Sequence, residues 1–489
     1  MSILLFCVGC LICTTYGLVE EDRILSLPGW DMELPSDMYS GYLTAEDSRL
    51  FYWFVEAEGN SADAPFVIWF NGGPGCSSLG GLFTETGPFS TNGTQLLLSE
   101  FRWSRFANLL FFENPKGVGF SYSTSLDYNT SDNETTHENL LALSDFFNKY
   151  PEYNNHDLYL TGESYAGVYI PMLAQAILHA EDGKEWNGPR LKGVAVGNGC
   201  TGSSVGACSS TCESVKYNTE FLLGLSFIDV KLKASIAKNC DWSKCGLGSV
   251  SSSLSTQCQD DVYAASQLLG PVNVYGVYDS CVNSNTCGSG SSRLTPVHAM
   301  DLLREARAVA PAAQGSRRLQ AGAEGDMGLD DDIPVWAAAD QETGGPSSCI
   351  DSSAATAYLM NPEVQAAIHA RPLPEGTCPW SFCGQQNNSW NYEHSMTDEP
   401  TLVYPDLFGR IDVLIYNGDV DDCESPSILF SSLLFSPRFS SSSPIPVSTH
   451  PLTETQRRAL DGQSGLDREY GLPREDVVEA LVLLTSRDR

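Results

Sequence analysis

Short apolar runs that end in glycine-rich turns recur along the chain and predict buried strands. Phe66–Phe70, Asn108–Phe112 and Ile411–Tyr416 are such runs, and each is followed by asparagine, glycine or proline. A strand that is buried on both faces of a parallel sheet reads as a continuous apolar run rather than as an alternation. Aromatic residues alternate with other residues in Arg49–Val55, which is therefore predicted to be a further strand. Residues 20–45 are predicted to be rich in turns.

Segments with helical spacing lie between these runs. Glu138–Tyr150 and Ala354–His369 are predicted to be helices, and apolar residues recur at three- and four-residue intervals from Met172 to Leu178. A short strand at 191–196 follows. Strands that alternate with helices predict an α/β fold, with a mostly parallel central sheet covered by helices.

One serine stands on a sharp turn between a predicted strand and a helix. Leu158–Thr161 leads into Gly162-Glu-Ser-Tyr-Ala-Gly167, in which small residues surround Ser164. Such a turn exposes the serine hydroxyl and is typical of a nucleophile elbow, although Ala166 replaces the usual second glycine. The backbone N–H of Tyr165 would lie beside a developing oxyanion. The alternative is an ordinary strand-to-helix turn.

A glycine-rich stretch, Asn71–Ser78, follows the first apolar run. Glycines let the backbone approach a ligand closely with its N–H groups forward. A phosphate-binding loop is the competing interpretation, but the G-K-[ST] of that motif is missing, so we set it aside.

The composition changes after Gly199 and predicts five segments. Residues 1–17 form an apolar signal peptide, residues 18–199 the first part of the core, and residues 200–346 a cap insertion with a low-complexity excursion. Residues 347–423 form the second part of the core. Residues 424–489 are an atypical tail, expected to be disordered, in which only Glu475–Leu484 could form a helix.

The charge and the cysteine content limit which cellular compartments and which partners are expected for this protein. The net charge of −33 argues against nucleic acid and anionic membranes as partners. Sixteen cysteines, the signal peptide and four Asn-X-Ser/Thr sequons, at Asn92, Asn129, Asn133 and Asn387, fit an oxidising compartment. We expect secretion or delivery to a lysosome or vacuole. The pairing of the eight cysteines at 200–290 cannot be deduced from sequence.

Six motifs in order resemble the serine carboxypeptidase family of α/β-hydrolases, over residues from about 22 to 423. The motifs are Ser26–Trp30, Trp69–Ser78, Glu85–Phe89, Gly117–Tyr122, Gly162–Gly167 and Asn417–Asp421. The resemblance implies an α/β-hydrolase fold with an inserted, disulfide-braced cap. The family's C-terminal strand and helix are expected to be missing, because nothing after residue 423 matches.

The resemblance also assigns the catalytic roles. Ser164 matches the nucleophile, and the backbone N–H groups of Gly73 and Tyr165 match the oxyanion hole. Asp421 matches the acid that orients the catalytic histidine, with Asp419 as the rival. No segment matches the one that carries the family's histidine, and His450 is the only histidine after Asp421.

The family's site for the substrate's C-terminal carboxylate matches Asn71, Glu85 and Glu163, with Trp69 supporting them. Two carboxylates in a closed site cannot both stay ionised, so one takes a proton and can donate a hydrogen bond to the substrate. The resemblance further implies a disulfide bond between Cys76 and Cys383, which would hold the glycine-rich loop.

The resulting hypothesis is a carboxypeptidase that releases C-terminal amino acids from peptides or proteins at acidic pH through an acyl-enzyme, impaired if the histidine segment is lost. The alternatives are a related acyltransferase and an inactive or truncated binding paralogue. We expect no cofactor and no metal ion. Whether the chain forms a homodimer is left open.

Overall fold

The computed structural model describes residues 19–200, 212–224, 227–245, 253–268, 352–372, 380–383, 391–394, 400–418 and 481–484. None of the helices within these ranges is long and apolar enough to cross a membrane. The predicted signal peptide lies outside the described residues.

One large sheet forms the centre of the fold. Its strands, with four short ones outside it, are β1 (Met38–Ala45), β2 (Ser48–Val55), β3 (Phe66–Phe70), β4 (Phe89–Thr91), β5 (Leu96–Leu98), β6 (Asn108–Phe112), β7 (Tyr122–Ser123), β8 (Asn129–Ser131), β9 (Asp157–Ser164), β10 (Arg190–Gly199), β11 (Asn391–Glu393), β12 (Asp412–Tyr416) and β13 (Leu481–Leu484). The order across the sheet is β1-β2-β6-β3-β9-β10-β12-β13, and β7 pairs with β2. The strands from β6 to β12 run parallel, whereas β1, β2 and β13 are antiparallel to their neighbours.

Helices cover both faces of this sheet. The helices within the described residues are α1 (Leu79–Thr84), α2 (Asp132–Lys149), α3 (Ala166–Gly183), α4 (Cys212–Gly224), α5 (Val230–Asn239), α6 (Thr256–Leu268), α7 (Ser353–Leu359), α8 (Pro362–Ala367) and α9 (Pro400–Leu407). Strand β3 shows how the two layers divide. Phe66, Ile68 and Phe70 pack into the core beneath α2, α3 and α9, whereas Val67 and Trp69 join the core beneath α1, α7 and α8.

Helices α4, α5 and α6 form the described part of the predicted cap. They enclose two small apolar clusters of their own. Disulfide bonds join Cys212 to Cys245 and Cys240 to Cys258. The pairing that the sequence left open is thus settled for these four cysteines.

Two helix predictions needed correction. Helix α2 begins at Asp132 rather than at Glu138, because the Ser131 hydroxyl caps it by accepting a hydrogen bond from the Glu134 N–H. The helix predicted over Ala354–His369 is two helices, α7 and α8. Pro362 opens the second one, and a proline cannot continue a preceding helix.

Strands β1 and β13 lie where the sequence analysis predicted no strand. Strand β1 lies in the stretch that was predicted to be turns, where the buried polar Ser40, which donates to the Ile368 carbonyl oxygen at 2.6 Å, hides the apolar pattern. Leu481–Leu484 was predicted to be at most part of a helix, in a tail without a further strand. It pairs antiparallel with β12, because the open edge of a sheet accepts an extended apolar segment.

The parallel strands carry their carboxyl ends to one edge of the sheet. Neighbouring strands β3 and β9 end there, with Phe70 paired to Gly162, and β6 ends there beside β3. Ligands bind at this edge in open α/β sheets, where loops from several strands converge. The glycine-rich loop after β3 and the serine turn after β9 are therefore neighbours.

Candidate active site

Ser164 occupies the sharp turn that the sequence predicted. It is the last residue of β9, Tyr165 caps the next helix, and α3 begins at Ala166. Its φ of 57° lies in the left-handed region, which a residue with a side chain rarely adopts. Backbone strain of this kind is found where a side chain must be presented in a fixed direction.

The glycine-rich loop touches this turn at Gly72. A β-carbon on Gly72 would lie 2.3 Å from the Tyr165 backbone nitrogen and 2.8 Å from Ser164 Cβ, so only glycine fits. Gly73 is the next residue. The two candidate oxyanion donors, Gly73 and Tyr165, thus belong to backbone segments that are packed directly against each other.

Asn71 joins the two predicted carboxylate-binding glutamates. Its Nδ2 donates to Glu85 Oε1 at 3.0 Å and to Glu163 Oε1 at 2.8 Å. Its Oδ1 accepts from Trp69 Nε1 and from the Gly81 N–H, each at 3.0 Å. The Asn71 amide is therefore fixed by four hydrogen bonds, and Gly81 was not foreseen from the sequence.

The environment of the two glutamates favours their protonated forms. Burial raises the pKa of Glu85 most strongly, the nearby Glu163 raises it further, and the Asn71 amide opposes both. Burial also raises the pKa of Glu163, again against Asn71. Both side chains keep some exposed surface, so a ligand can reach them, but protein surrounds most of each carboxyl group. Such a pair retains a proton at a pH where isolated glutamates have lost theirs.

The expected disulfide bond between Cys76 and Cys383 is confirmed. Its Cα atoms are 4.1 Å apart, slightly closer than the usual range of about 4.4–6.8 Å. The next residue, Ser77, donates its backbone N–H to the Phe382 carbonyl oxygen at 2.7 Å. The glycine-rich loop is thus tied to the segment 380–383.

Glu113 is a buried acid behind this loop, and the sequence analysis did not identify it. It follows β6 and accepts hydrogen bonds from Ser77 Oγ at 2.5 Å, from Trp380 Nε1 at 2.8 Å and from the Phe120 N–H. Burial raises its pKa to about 7, against these three donors. Its place directly after a buried strand was the only available signal.

A second group that sequence reasoning missed lies beside the serine turn. Asp132 Oδ1 accepts from Tyr165 Oη at 2.7 Å and from Tyr392 Oη at 2.8 Å. His394 Nδ1 lies 2.8 Å from Tyr165 Oη. No sequence signal pointed to Asp132, because the helix was predicted to begin at Glu138 rather than at Asp132.

Asp419, Asp421 and His450 lie outside the described residues. Asn417 and Gly418, which follow β12, bring the start of their loop to the same edge of the sheet, and the Gly418 N–H donates to Asn198 Oδ1 at 3.2 Å. Within the described ranges, no group of three histidine, cysteine or acidic side chains could hold a metal ion.

Comparison with known proteins identifies what the chain is similar to. The profile of the serine carboxypeptidase family matches residues 28–426. The serine carboxypeptidase ctsa-4.1 of Caenorhabditis elegans is 33% identical over 406 residues, which cover 82% of this chain and 76% of that protein. The lysosomal protective protein of Mus musculus is 33% identical over 411 residues, which cover 82% and 78%. The solved structure of Kex1Δp, a prohormone-processing carboxypeptidase from Saccharomyces cerevisiae, matches with a TM-score of 0.55 at 20% identity, covering 85% of this chain and 81% of that one, and shares the predicted fold.

Proposed function

This chain belongs to the serine carboxypeptidase family, and we propose that it releases single amino acids from the C-terminus of peptides through an acyl-enzyme on Ser164. We further propose that the reaction proceeds best at acidic pH. The enzymes it resembles are serine carboxypeptidases.

The observation that carries this proposal is the Asn71 amide held between Glu85 and Glu163. Glu163 directly precedes Ser164, so a carboxylate bound at this pair would lie beside the nucleophile. Both N–H bonds of the Asn71 amide point to the glutamates, so the proton of a protonated glutamate is the donor that suits a substrate carboxylate. A peptide whose last residue occupies this site would place its final peptide bond at Ser164.

The chemistry follows from these positions. The Ser164 hydroxyl attacks the carbonyl carbon of the last peptide bond and gives up its proton to a base. The backbone N–H groups of Gly73 and Tyr165 donate to the oxyanion that forms, and such donors are each worth about 10²–10³ in rate. The C–N bond then breaks, the amino acid leaves with a proton, and water hydrolyses the ester on Ser164.

We propose Asp421 as the acid that orients the base, and we propose that the base limits the rate. A serine needs a histidine to take its proton, and His450 is the only histidine after Asp421. Pro451 follows His450 and biases it toward an extended conformation. We therefore expect slow turnover, with about 10³–10⁴-fold acceleration over water remaining if a triad member is absent.

Release of the free amino acid from an N-blocked dipeptide, measured with the full chain at acidic and neutral pH, tests the proposal. The matched substrate is the same dipeptide with a C-terminal amide, which the Asn71 site should not recognise. Ser164→Ala is the matched enzyme control, and it should lose the activity. Equal cleavage of the acid and amide substrates would contradict the assignment of the carboxylate site.

Three further outcomes separate the alternatives. Formation of an ester when an alcohol is added, in place of the free acid, would favour acyl transfer over hydrolysis. Turnover at ordinary enzyme rates that is lost in His450→Ala would show that His450 is an effective base. Binding of the dipeptide without any turnover would favour a binding paralogue.

We also propose that the protein resides in the secretory pathway, as a secreted or lysosomal or vacuolar enzyme. Its disulfide bonds are typical of an oxidising compartment. The three sequon asparagines within the described residues, Asn92, Asn129 and Asn133, are exposed. A drop in mass after enzymatic removal of N-glycans from the native protein tests this, and an unchanged mass would count against it.

A further inference from the structure

Asp132 is a fully buried acid that the proposed reaction does not use. It is 1% exposed and forms the first residue of α2, directly after the capping residue Ser131. The N-terminus of an 18-residue helix stabilises a negative charge at this position. An acid that is buried so completely needs hydrogen-bond donors, and two tyrosine hydroxyls are among its donors.

One of these tyrosines is the residue that follows the nucleophile. Tyr165 Oη donates to Asp132 Oδ1 at 2.7 Å, and Tyr392 Oη donates to the same oxygen at 2.8 Å. Burial, followed by the charge of Asp132, raises the pKa of the Tyr165 phenol, so it stays protonated and able to donate. A hydrogen bond to a charged acceptor is about twice as strong as one between neutral groups.

The Tyr165 hydroxyl has a second fixed partner. Its only proton is directed to Asp132, so it must accept the hydrogen bond from His394 Nδ1, at 2.8 Å. His394 therefore carries a proton on Nδ1, and burial lowers its pKa despite the nearby Asp132. The hydrogen bond from His394 Nδ1 therefore helps to hold the Tyr165 side chain in place.

The Tyr165 ring is also enclosed on its faces and edges. The ring centroids of Tyr169 and Tyr392 lie 5.2 Å and 5.9 Å away, both at steep angles. Tyr392 belongs to β11, which pairs with β8 immediately before Asp132. The groups that hold Tyr165 thus come from two short paired strands and the start of a long helix.

We infer that Asp132 is a positioning residue for the oxyanion hole, which acts by holding the Tyr165 side chain and, through it, the Tyr165 backbone N–H. The inference rests on the proposed function, because it concerns the same Tyr165 N–H that the proposed function places in the oxyanion hole. Side chain and N–H belong to one residue at a strained turn, so a shift of the phenol is transmitted to the backbone. A misplacement of about 1 Å at a reacting centre can cost 10²-fold in rate.

The test compares how each variant changes the binding of an oxyanion mimic with how it changes the binding of the terminal carboxylate. The probe is a phosphonate analogue of a blocked dipeptide, whose tetrahedral anion takes the place of the oxyanion and which keeps the C-terminal carboxylate. Its Kd is measured by calorimetry, which requires no turnover, and is compared with that of the free C-terminal amino acid. We expect Tyr392→Phe to weaken phosphonate binding about 10-fold and Asp132→Asn at least as much, with the amino acid affinity unchanged.

Tyr150→Phe is the matched control, because it removes a buried tyrosine hydroxyl, paired with Tyr52 at 2.7 Å, away from the site. Where turnover is measurable, the network variants should lower kcat and leave KM within about twofold. Equal loss of both affinities, or a phosphonate affinity unchanged in both variants, would overturn the inference.

Failure of the proposed function gives a different result. Wild-type protein that binds the phosphonate no more tightly than the amino acid would contradict the proposed function itself. Hydrogen exchange in the peptide that spans Tyr165–Ile170 then decides the positioning role. Faster exchange there in Tyr392→Phe, but not in Tyr150→Phe, supports the anchor, and unchanged exchange overturns it. Tyr392→Phe also covers the case in which Asp132→Asn does not fold.

Discussion

Replacement of Glu85 by glutamine tests the electrostatic design of the site most directly. Glu85 and Glu163 share the Asn71 amide, and the pKa of each carboxyl group is raised in the folded protein. Glu85→Gln keeps the shape of the side chain and an oxygen that can accept from Asn71. The change therefore removes one charge and one titrating proton while it preserves the hydrogen bond.

The size of the effect follows from the distances at Asn71. The bonds from Nδ2 to Glu85 Oε1 and Glu163 Oε1 are 3.0 and 2.8 Å long, and laid end to end they give 5.8 Å as the largest separation of the two oxygens. Two unit charges at that distance repel each other by about 3 kcal/mol at an effective dielectric constant of about 20. This repulsion is absent from the glutamine variant.

The direction in which stability changes with pH follows from the raised pKa values of Glu85 and Glu163. The folded protein holds these protons more tightly than the unfolded chain does, so the contribution of the pair to the free energy of unfolding is largest in acid. It falls as pH rises from the ordinary glutamate pKa toward the raised values, and it then levels off. As pH rises from the ordinary glutamate pKa through the raised values, we expect Glu85→Gln to lose about 3 kcal/mol less stability than the wild-type protein.

Urea unfolding at a series of pH values measures this difference, with the m value checked for constancy. Glu220→Gln, at an exposed position of α4 in the cap, makes the same chemical change outside the Asn71 site and should follow the wild-type curve. In parallel, the KM for a blocked dipeptide should rise with pH in the wild-type protein. The rise should be smaller in Glu85→Gln, because an amide N–H donates at every pH.

Parallel stability curves for wild type and Glu85→Gln would refute the reasoning, because they would mean that the two glutamates do not interact. A flat KM from acid to neutral pH in the wild-type protein would separately refute the need for a shared proton. If Glu220→Gln changed the curve as much as Glu85→Gln, net charge rather than the pair would explain the effect.

Three further predictions concern the loop around the site. Gly72→Ala should lower kcat/KM on the order of 10²-fold, because its methyl group would push the loop away from Ser164; a variant that keeps half of the activity would contradict this. The raised pKa of Glu113 stabilises the wild-type protein in acid, and this stabilisation is lost as pH rises from the ordinary glutamate pKa to about 7. Glu113→Gln should remove this pH dependence. It should also lower the free energy of unfolding in acid by about 1–3 kcal/mol, because an amide N–H then faces a hydrogen-bond donor. Cys383→Ser should lower the free energy of unfolding by about 2–5 kcal/mol through loss of a bond that spans 307 residues, as Cys76→Ser should; an unchanged urea midpoint in either variant would contradict a stabilising role.

The sequence by itself determined the parts of this protein that depend on local preference. Continuous apolar runs identified β3 and β6 with their bounds, because a strand buried on both faces has no polar positions to obscure it. The small residues around Ser164 predicted the turn, since only they allow the strand to bend so sharply. The motifs identified the family, because the order of short sequences is preserved in the chain itself.

Tertiary structure decided which distant groups meet, and with them the electrostatics. Asn71 contacts Glu163 across 92 positions, Glu113 contacts Trp380 across 267, and Asp132 contacts Tyr392 across 260. No local pattern encodes such pairs, because a carboxylate in isolation reads as a surface charge. Strand β1 was hidden for the same reason, since Ser40 is buried only where the Ile368 carbonyl oxygen accepts its proton. The energy of a buried polar group is set by its partners, and folding alone supplies them.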